Sequence, residues 1–185
     1  MTTKKNVLGI NGSASKNASN LAILKNIAHL SESEIELTIL EDLSELPHFQ
    51  TNLTDINVPD KIVEFRNKIE KADGIIICTP EYVFSIPSGL KNALEWCVST
   101  NILTDKPTGL ITASASGEKG HEELKLIMKT LQTNFTNETT LLIQGIKGKV
   151  NTEGNITDNN TKIELKQFLL SFNKFIKNES VKAPD

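Results

Sequence analysis

The sequence predicts an α/β fold, a three-layer sandwich around a five-stranded parallel sheet of order 2-1-3-4-5. Three observations predict it. Apolar runs alternate with amphipathic helical patterns along the whole 185-residue chain. The central run, Gly74-Ile75-Ile76-Ile77-Cys78, is apolar throughout, as a strand covered on both faces must be. The length is that of one domain, so residues 1–185 read as a single unit. At this size 2-1-3-4-5 is the expected doubly wound order.

The elements follow in order. Asn6 to Ile10 reads as the first strand. A helix from about Ser19 to Leu30 carries Leu21, Leu24, Ile27 and Ala28 as its apolar stripe. Ile35 to Leu40 alternates apolar and polar residues, as a second strand does. The polar stretch from Glu41 to Asp60, with Pro47 and Pro59, reads as a long loop. A helix from about Asp60 to Ala72 turns Ile62, Val63, Phe65 and Ile69 inward. The third strand is Gly74 to Cys78, and a helix follows from Pro87 to about Ser99. Thr108 to Ala113 is the fourth strand, followed by a helix from about His121 to Asn134. The fifth strand is about Thr139 to Ile143. The last helix, about Thr161 to Lys177, has an apolar face of Ile163, Leu165, Phe168, Leu169, Phe172, Phe175 and Ile176 that must dock on the sheet.

Composition narrows the function classes. A net charge of -3, with no basic cluster, argues against nucleic-acid binding. No run is long and apolar enough to cross a bilayer, and the amino-terminal apolar run is too short for a signal sequence. The two cysteines, Cys78 and Cys97, are too few for a disulfide scaffold and read as reduced core residues. A cytoplasmic protein is the simplest expectation. His29 and His48 have no partners at metal-ligand spacing, so no metal site is expected.

Chemistry in such a fold is expected in the loops at the carboxyl ends of the strands. The loop after the first strand, Asn11-Gly12-Ser13-Ala14-Ser15-Lys16-Asn17-Ala18-Ser19-Asn20, opens a helix. Its backbone N–H groups and the helix dipole favour an anion. Ser13, Ser15, Ser19 and Asn20 add donors, and Lys16 adds charge. The loop is neither G-x-x-x-x-G-K-[ST] nor G-x-G-x-x-G. The same residues serve equally as helix caps and turn formers.

After the third strand come Pro80-Glu81-Tyr82-Val83-Phe84-Ser85-Ile86-Pro87. Tyr82 and Phe84 offer aromatic surface for a planar ring. Phe84 and Trp96 read as core or interface residues in preference to ligand-facing ones. Ser85 is a candidate helix cap and Pro87 suits a first helical turn. After the fourth strand, Ser114-Ala115-Ser116-Gly117-Glu118-Lys119-Gly120 makes a close-approach surface or, equally, a cap turn at Ser116 or Gly117. His121 reads as a surface helix residue. No Ser-His-Asp, Cys-His or paired-carboxylate constellation is visible, so no catalytic side chain is named.

With the three loops in view, the chain resembles the NAD(P)H-dependent FMN reductase family, a flavodoxin-like group that includes quinone, azo-dye and chromate reductases. Gly12-Ser13 with Ser19-Asn20 is similar to its G-S-x-R-x-x-S-x-N loop. Pro80-Glu81-Tyr82 with Ser85, Pro87, Gly89-Leu90-Lys91-Asn92-Ala93 and Trp96 is similar to P-E-Y-N-x-S-x-P-G-x-L-K-N-A-x-D-W. Ser114 to Gly120 resembles the third flavin loop. The family's Arg, Asn and Gly are here Ser15, Val83 and Ser88.

The resemblance implies a flavodoxin-like FMN-binding domain. It puts Ser13, Ser19 and Asn20 on the FMN phosphate, and the other residues of that loop, Gly12, Ser15 and Lys16, are cofactor-binding candidates beside them, with Ser15 standing where the family has its Arg and Lys16 one place later. The ring lies along Pro80, Glu81 and Tyr82, with Val83, Phe84 and Ser85 beside them, and the pyrimidine edge near Ser114, Ser116 and Gly117. It further implies an oxidoreductase that uses NADPH or NADH to reduce a flavin, quinone or similar small acceptor by a ping-pong mechanism. A homodimer or homotetramer is implied too, with the helix carrying Trp96 as candidate interface. A flavodoxin-type electron carrier and a flavin-free binding domain of the same fold are the alternatives.

Overall fold

The computed structural model describes residues 4–15 and 19–179. Five parallel strands form one sheet of order β2-β1-β3-β4-β5, as predicted. They are β1 (Lys5–Asn11), β2 (Ile35–Leu40), β3 (Gly74–Thr79), β4 (Thr108–Ser114) and β5 (Thr140–Gln144). The helices are α1 (Ser19–Ser31), α2 (Asp60–Lys71), α3 (Ser88–Glu95), α4 (Glu118–Thr130) and α5 (Asn159–Glu179).

Strand periodicity splits the core in two. Side chains of a strand alternate between faces, so Ile75 and Ile77 of β3 pack under α2, α3 and α4, with Phe65, Leu90, Leu94, Leu124 and Met128. Ile76 and Cys78 point the other way, onto α1 and α5, with Ile23, Leu24, Leu165, Phe168 and Phe172. Two helices therefore cover one face and three the other. β3 is buried along its full length, which explains its unbroken apolar sequence.

Two apolar stripes differ from prediction. Val63 and Ile163 are exposed (41% and 65%), while their neighbours Ile62 and Leu165 are fully buried. Each lies off its helix's inward face, which Ile62, Phe65 and Ile69 form in α2 and Leu165, Phe168, Leu169 and Phe172 in α5. Both cysteines are free and buried, and burial pushes the Cys97 thiol up to about 12, against a smaller opposing pull from Arg66.

The segment between β2 and α2 holds only one short turn of 3₁₀ helix, Thr51–Leu53, yet it is fastened down. Arg66 of α2 donates to the carbonyls of Trp96 and Thr54, each at 2.9 Å. The Trp96 indole donates to the Pro47 carbonyl at 2.8 Å and meets the Phe49 ring edge-on. Trp96 is fully buried. It is therefore a core residue that holds the long loop, the first of the two roles expected of it.

Candidate functional site

Three strand ends meet at one edge of the sheet, and the loops leaving them touch. Asn11 closes β1. Its amide donates to the carbonyls of Glu41 (2.8 Å) and Ser13 (3.3 Å), and its Oδ1 accepts from Ser13 N–H. This local ring of bonds turns the chain out of the sheet. Gly12 is there for room. A Cβ at this position would lie 2.5 Å from Thr79 Oγ1 and 2.9 Å from Leu90 Cδ2, so any side chain would push β1 off β3 and α3.

Ser13 is buried and Ser15 exposed. The Ser15 N–H donates to Ser13 Oγ at 3.3 Å. Ser19 opens α1, whose first turn carries no acidic residue. In contrast, α2 and α4 begin with Asp60 and Glu118. The start of α1, like those of α3 and α5, thus has no acid in its first turn to offset the positive end of its dipole. Lys16 lies outside the described residues. The Asn20 side chain faces inward. Its Nδ2 donates to the Ala113 carbonyl at 3.2 Å, and its Oδ1 receives the Cys78 thiol at 3.4 Å. Its amide thus bridges β3 and β4 from beneath the loop. Burial holds the Cys78 thiol above its ordinary range, which suits a donor rather than a nucleophile.

The second loop carries the sharpest local feature. Tyr82 and Ser85 exchange backbone hydrogen bonds of 2.9 and 3.0 Å, closing a two-residue turn over Val83 and Phe84. Both central residues have left-handed backbone, φ 52° and 58°. Turns of this kind normally hold Asn or Gly. For valine, branched at Cβ, the conformation is strained by about 1–3 kcal/mol. Val83 and Phe84 are 95% and 75% exposed, so Phe84 is neither core nor covered within the chain. Tyr82 leans the other way, its hydroxyl 3.4 Å from Ser13 Oγ.

Ser85 does not cap α3, whose N-cap is Pro87. Its hydroxyl donates instead to Glu123 Oε2 of α4 at 2.6 Å, beside the Ile86 N–H at 2.9 Å. Pro80 is buried and Glu81 half-buried. The Glu81 carboxylate accepts from Gly120 N–H at 2.8 Å and Gly117 N–H at 3.3 Å, so it caps α4 from another loop.

The third loop is held by that cap. Ser114 Oγ donates to the Glu81 carbonyl at 3.3 Å, Ser116 is exposed, and Gly117 is the N-cap of α4 with φ 89°. A side chain at Gly117 would also meet Leu142 Cδ1 at 2.9 Å. His121 sits one turn into α4, with Nδ1 2.9 Å from Thr112 Oγ1 of β4. It is half-buried rather than a surface residue. Burial, helped by Lys125 and opposed by Glu122, lowers its pKa to about 4.

The sequence reading missed Glu123 and the use of the Glu81 carboxylate. One signal was available for Glu81. A helix that opens on glycine brings no side-chain cap of its own, so α4 needed one from elsewhere. Apart from these loops, a groove of about 940 Å³ runs between α1 and residues 147–155. Among the described site residues only Ser19 lines it. No group of three metal-ligating side chains occurs among the described residues. No described helix is long and apolar enough to cross a membrane.

Ligand-type loops at the carboxyl edge of a 2-1-3-4-5 parallel sheet define a flavodoxin-like protein. Sequence comparison goes further. The profile of the NADPH-dependent FMN reductase family matches residues 5–147, and the chain belongs to that family of oxidoreductases. It is 33% identical over 178 residues to an NADPH:quinone oxidoreductase of Arabidopsis thaliana, covering 91% of this chain and 90% of that one. A quinone reductase of Escherichia coli (strain K12) is 27% identical over 183 residues, covering 95% and 97%. Among solved structures, FerB, a flavoenzyme NAD(P)H:(acceptor) oxidoreductase from Paracoccus denitrificans, superposes with a TM-score of 0.83. It is 26% identical, with 94% of this chain and 98% of that one covered.

Proposed function

We propose that this protein passes electrons from NADPH or NADH to a quinone or similar small acceptor, the two substrates using one site in turn, with FMN as its cofactor. The observation that carries the reading is the convergence of the three loops. Tyr82 reaches Ser13, Ser114 reaches Glu81, and Glu81 caps the helix that follows Gly117. When bound, FMN supplies the electron transfer in both half-reactions.

The donor set fits that cofactor. Gly12, Ser13, Ser15 and Ser19 offer hydroxyls and backbone at a helix start free of acidic residues, which suits a phosphate monoester. Lys16, next in sequence, adds the charge. Asn20 supports this loop from below. Pro80, Glu81 and Tyr82 form the wall for the planar ring, with Val83, Phe84 and Ser85 at its outer end. Ser114, Ser116 and Gly117 meet the opposite polar edge. None of these residues has to exchange a proton with substrate, so the chain's task is to bind and orient. We read residues 1–185 as one cytoplasmic FMN-binding domain that pairs with copies of itself.

The test is a visible absorption spectrum after incubation with FMN, followed by NADPH and NADH oxidation with 1,4-benzoquinone. A flavin spectrum and acceptor-dependent oxidation of either nucleotide are expected. A flavin-loaded protein that oxidises neither is an electron carrier instead. A protein that stays colourless with FMN is a flavin-free domain of this fold.

A further inference from the structure

The Tyr82–Ser85 turn poses a mechanical question. Its two central residues hold a left-handed backbone that valine and phenylalanine disfavour. Their side chains are largely exposed, so packing at the tip does not impose that shape. Strained backbone persists only where its surroundings over-determine it, and here the constraint lies at the base of the turn. One oxygen, Glu123 Oε2, accepts both the Ser85 hydroxyl at 2.6 Å and the Ile86 N–H at 2.9 Å. Hydrogen bonds to a carboxylate are short and stronger than neutral ones. Ile86 is itself buried between the sheet and α3, so the turn is anchored on its carboxyl side. On its amino side Glu81 binds two N–H groups at the start of α4. The two carboxylates run in opposite directions between the same two elements, one from loop to helix and one from helix to loop.

We propose that Glu123 is a positioning residue for the acceptor side of the flavin site, acting through Ser85 and Ile86 to hold the Tyr82–Ser85 turn in register with α4. This rests on the reading of Tyr82 and its turn as the wall beside the flavin ring. Glu123 is half-buried on α4 and outside every loop assigned to the cofactor, so its loss should change the shape of the acceptor face more than the affinity for FMN. Glutamine in its place keeps a carbonyl oxygen able to accept both bonds, whereas alanine keeps neither.

Two measurements on Glu123→Ala and Glu123→Gln test this. The first is amide hydrogen exchange in the flavin-free protein. Glu123→Ala is expected to speed exchange at Ser85 and Ile86 about tenfold while the strands keep wild-type rates, and Glu123→Gln to stay within about threefold of wild type. The second is steady-state kinetics of the FMN-loaded protein with 1,4-benzoquinone. Glu123→Ala is expected to raise the quinone KM about fivefold, with the FMN dissociation constant within about twofold of wild type and Glu123→Gln restoring the KM. Unchanged exchange at Ser85 and Ile86 overturns the proposal, as does an unchanged quinone KM. A wild-type protein that takes up no FMN instead overturns the proposed function, and the exchange arm still decides whether the tie exists. Should Glu123→Ala fail to fold, Ser85→Ala removes only the hydroxyl donor. It carries the exchange arm, with faster exchange at Ile86 expected and wild-type exchange overturning the proposal.

Discussion

The Tyr82 hydroxyl lies 3.4 Å from Ser13 Oγ, across 69 residues of sequence. This hydrogen bond joins the proposed phosphate loop to the proposed ring wall. At that length, and with Tyr82 partly exposed, the bond is weak. Tyr82→Phe is expected to raise the FMN dissociation constant by about two- to fivefold, as read by quenching of flavin fluorescence. A larger loss would mean that the hydroxyl touches the cofactor itself.

Ser19 opens α1 where an anion would sit. Ser19→Ala removes a donor worth on the order of 1 kcal/mol or more, so FMN should bind about fivefold or more weakly. A titration that gives the wild-type dissociation constant would put the phosphate elsewhere.

Val83 is the residue least suited to its backbone. Asparagine tolerates φ 52° far better, and the exposed valine side chain has little packing to lose. Val83→Asn is expected to stabilise the fold by about 1 kcal/mol, measured by urea denaturation of the flavin-free protein. A variant no more stable than wild type would show that the turn carries no strain.

His121 is neutral in the folded protein until the pH falls to about 4, and in the unfolded chain it binds its proton near 6.5. Between those values the unfolded state holds more protons. Stability present above pH 6.5 is therefore lost as the pH falls toward 4. His121→Gln removes this titration and keeps a partner for Thr112. Its stability should fall less than that of wild type between pH 6.5 and 4, in urea unfolding at several pH values. Parallel curves would mean that the imidazole titrates as it does in water.

How much of this was legible beforehand follows the range of the interactions. Ile35 to Leu40 was readable to the residue, because strand alternation is written locally. The buried β3 was readable too, from its unbroken apolar run, whereas the room required at Gly12 is set by Thr79 and Leu90, far away in sequence. Helix ends were less so. α3 stops at Glu95 rather than Ser99, where Arg66 takes the Trp96 carbonyl and the indole turns to Pro47. α4 begins at Glu118 rather than His121 because Glu81, 36 residues earlier, supplies the cap for Gly117. Glu123 looked like any acid on a helix's polar face, since nothing near it in sequence announces Ser85. The inward aim of Asn20 depends on β4, 93 residues away.

That same Asn20 bears on how tightly a ligand can be held. Its amide already joins Cys78 to Ala113 through bonds within the chain. The floor of the site is therefore ordered as the polypeptide folds, and a ligand arriving there does not have to organise it. Ordering that a guest must impose is subtracted from its affinity, and ordering completed beforehand is not. Replacing this buried amide is thus expected to weaken retention of a ligand, by handing back to each binding event an entropy loss that folding now absorbs once.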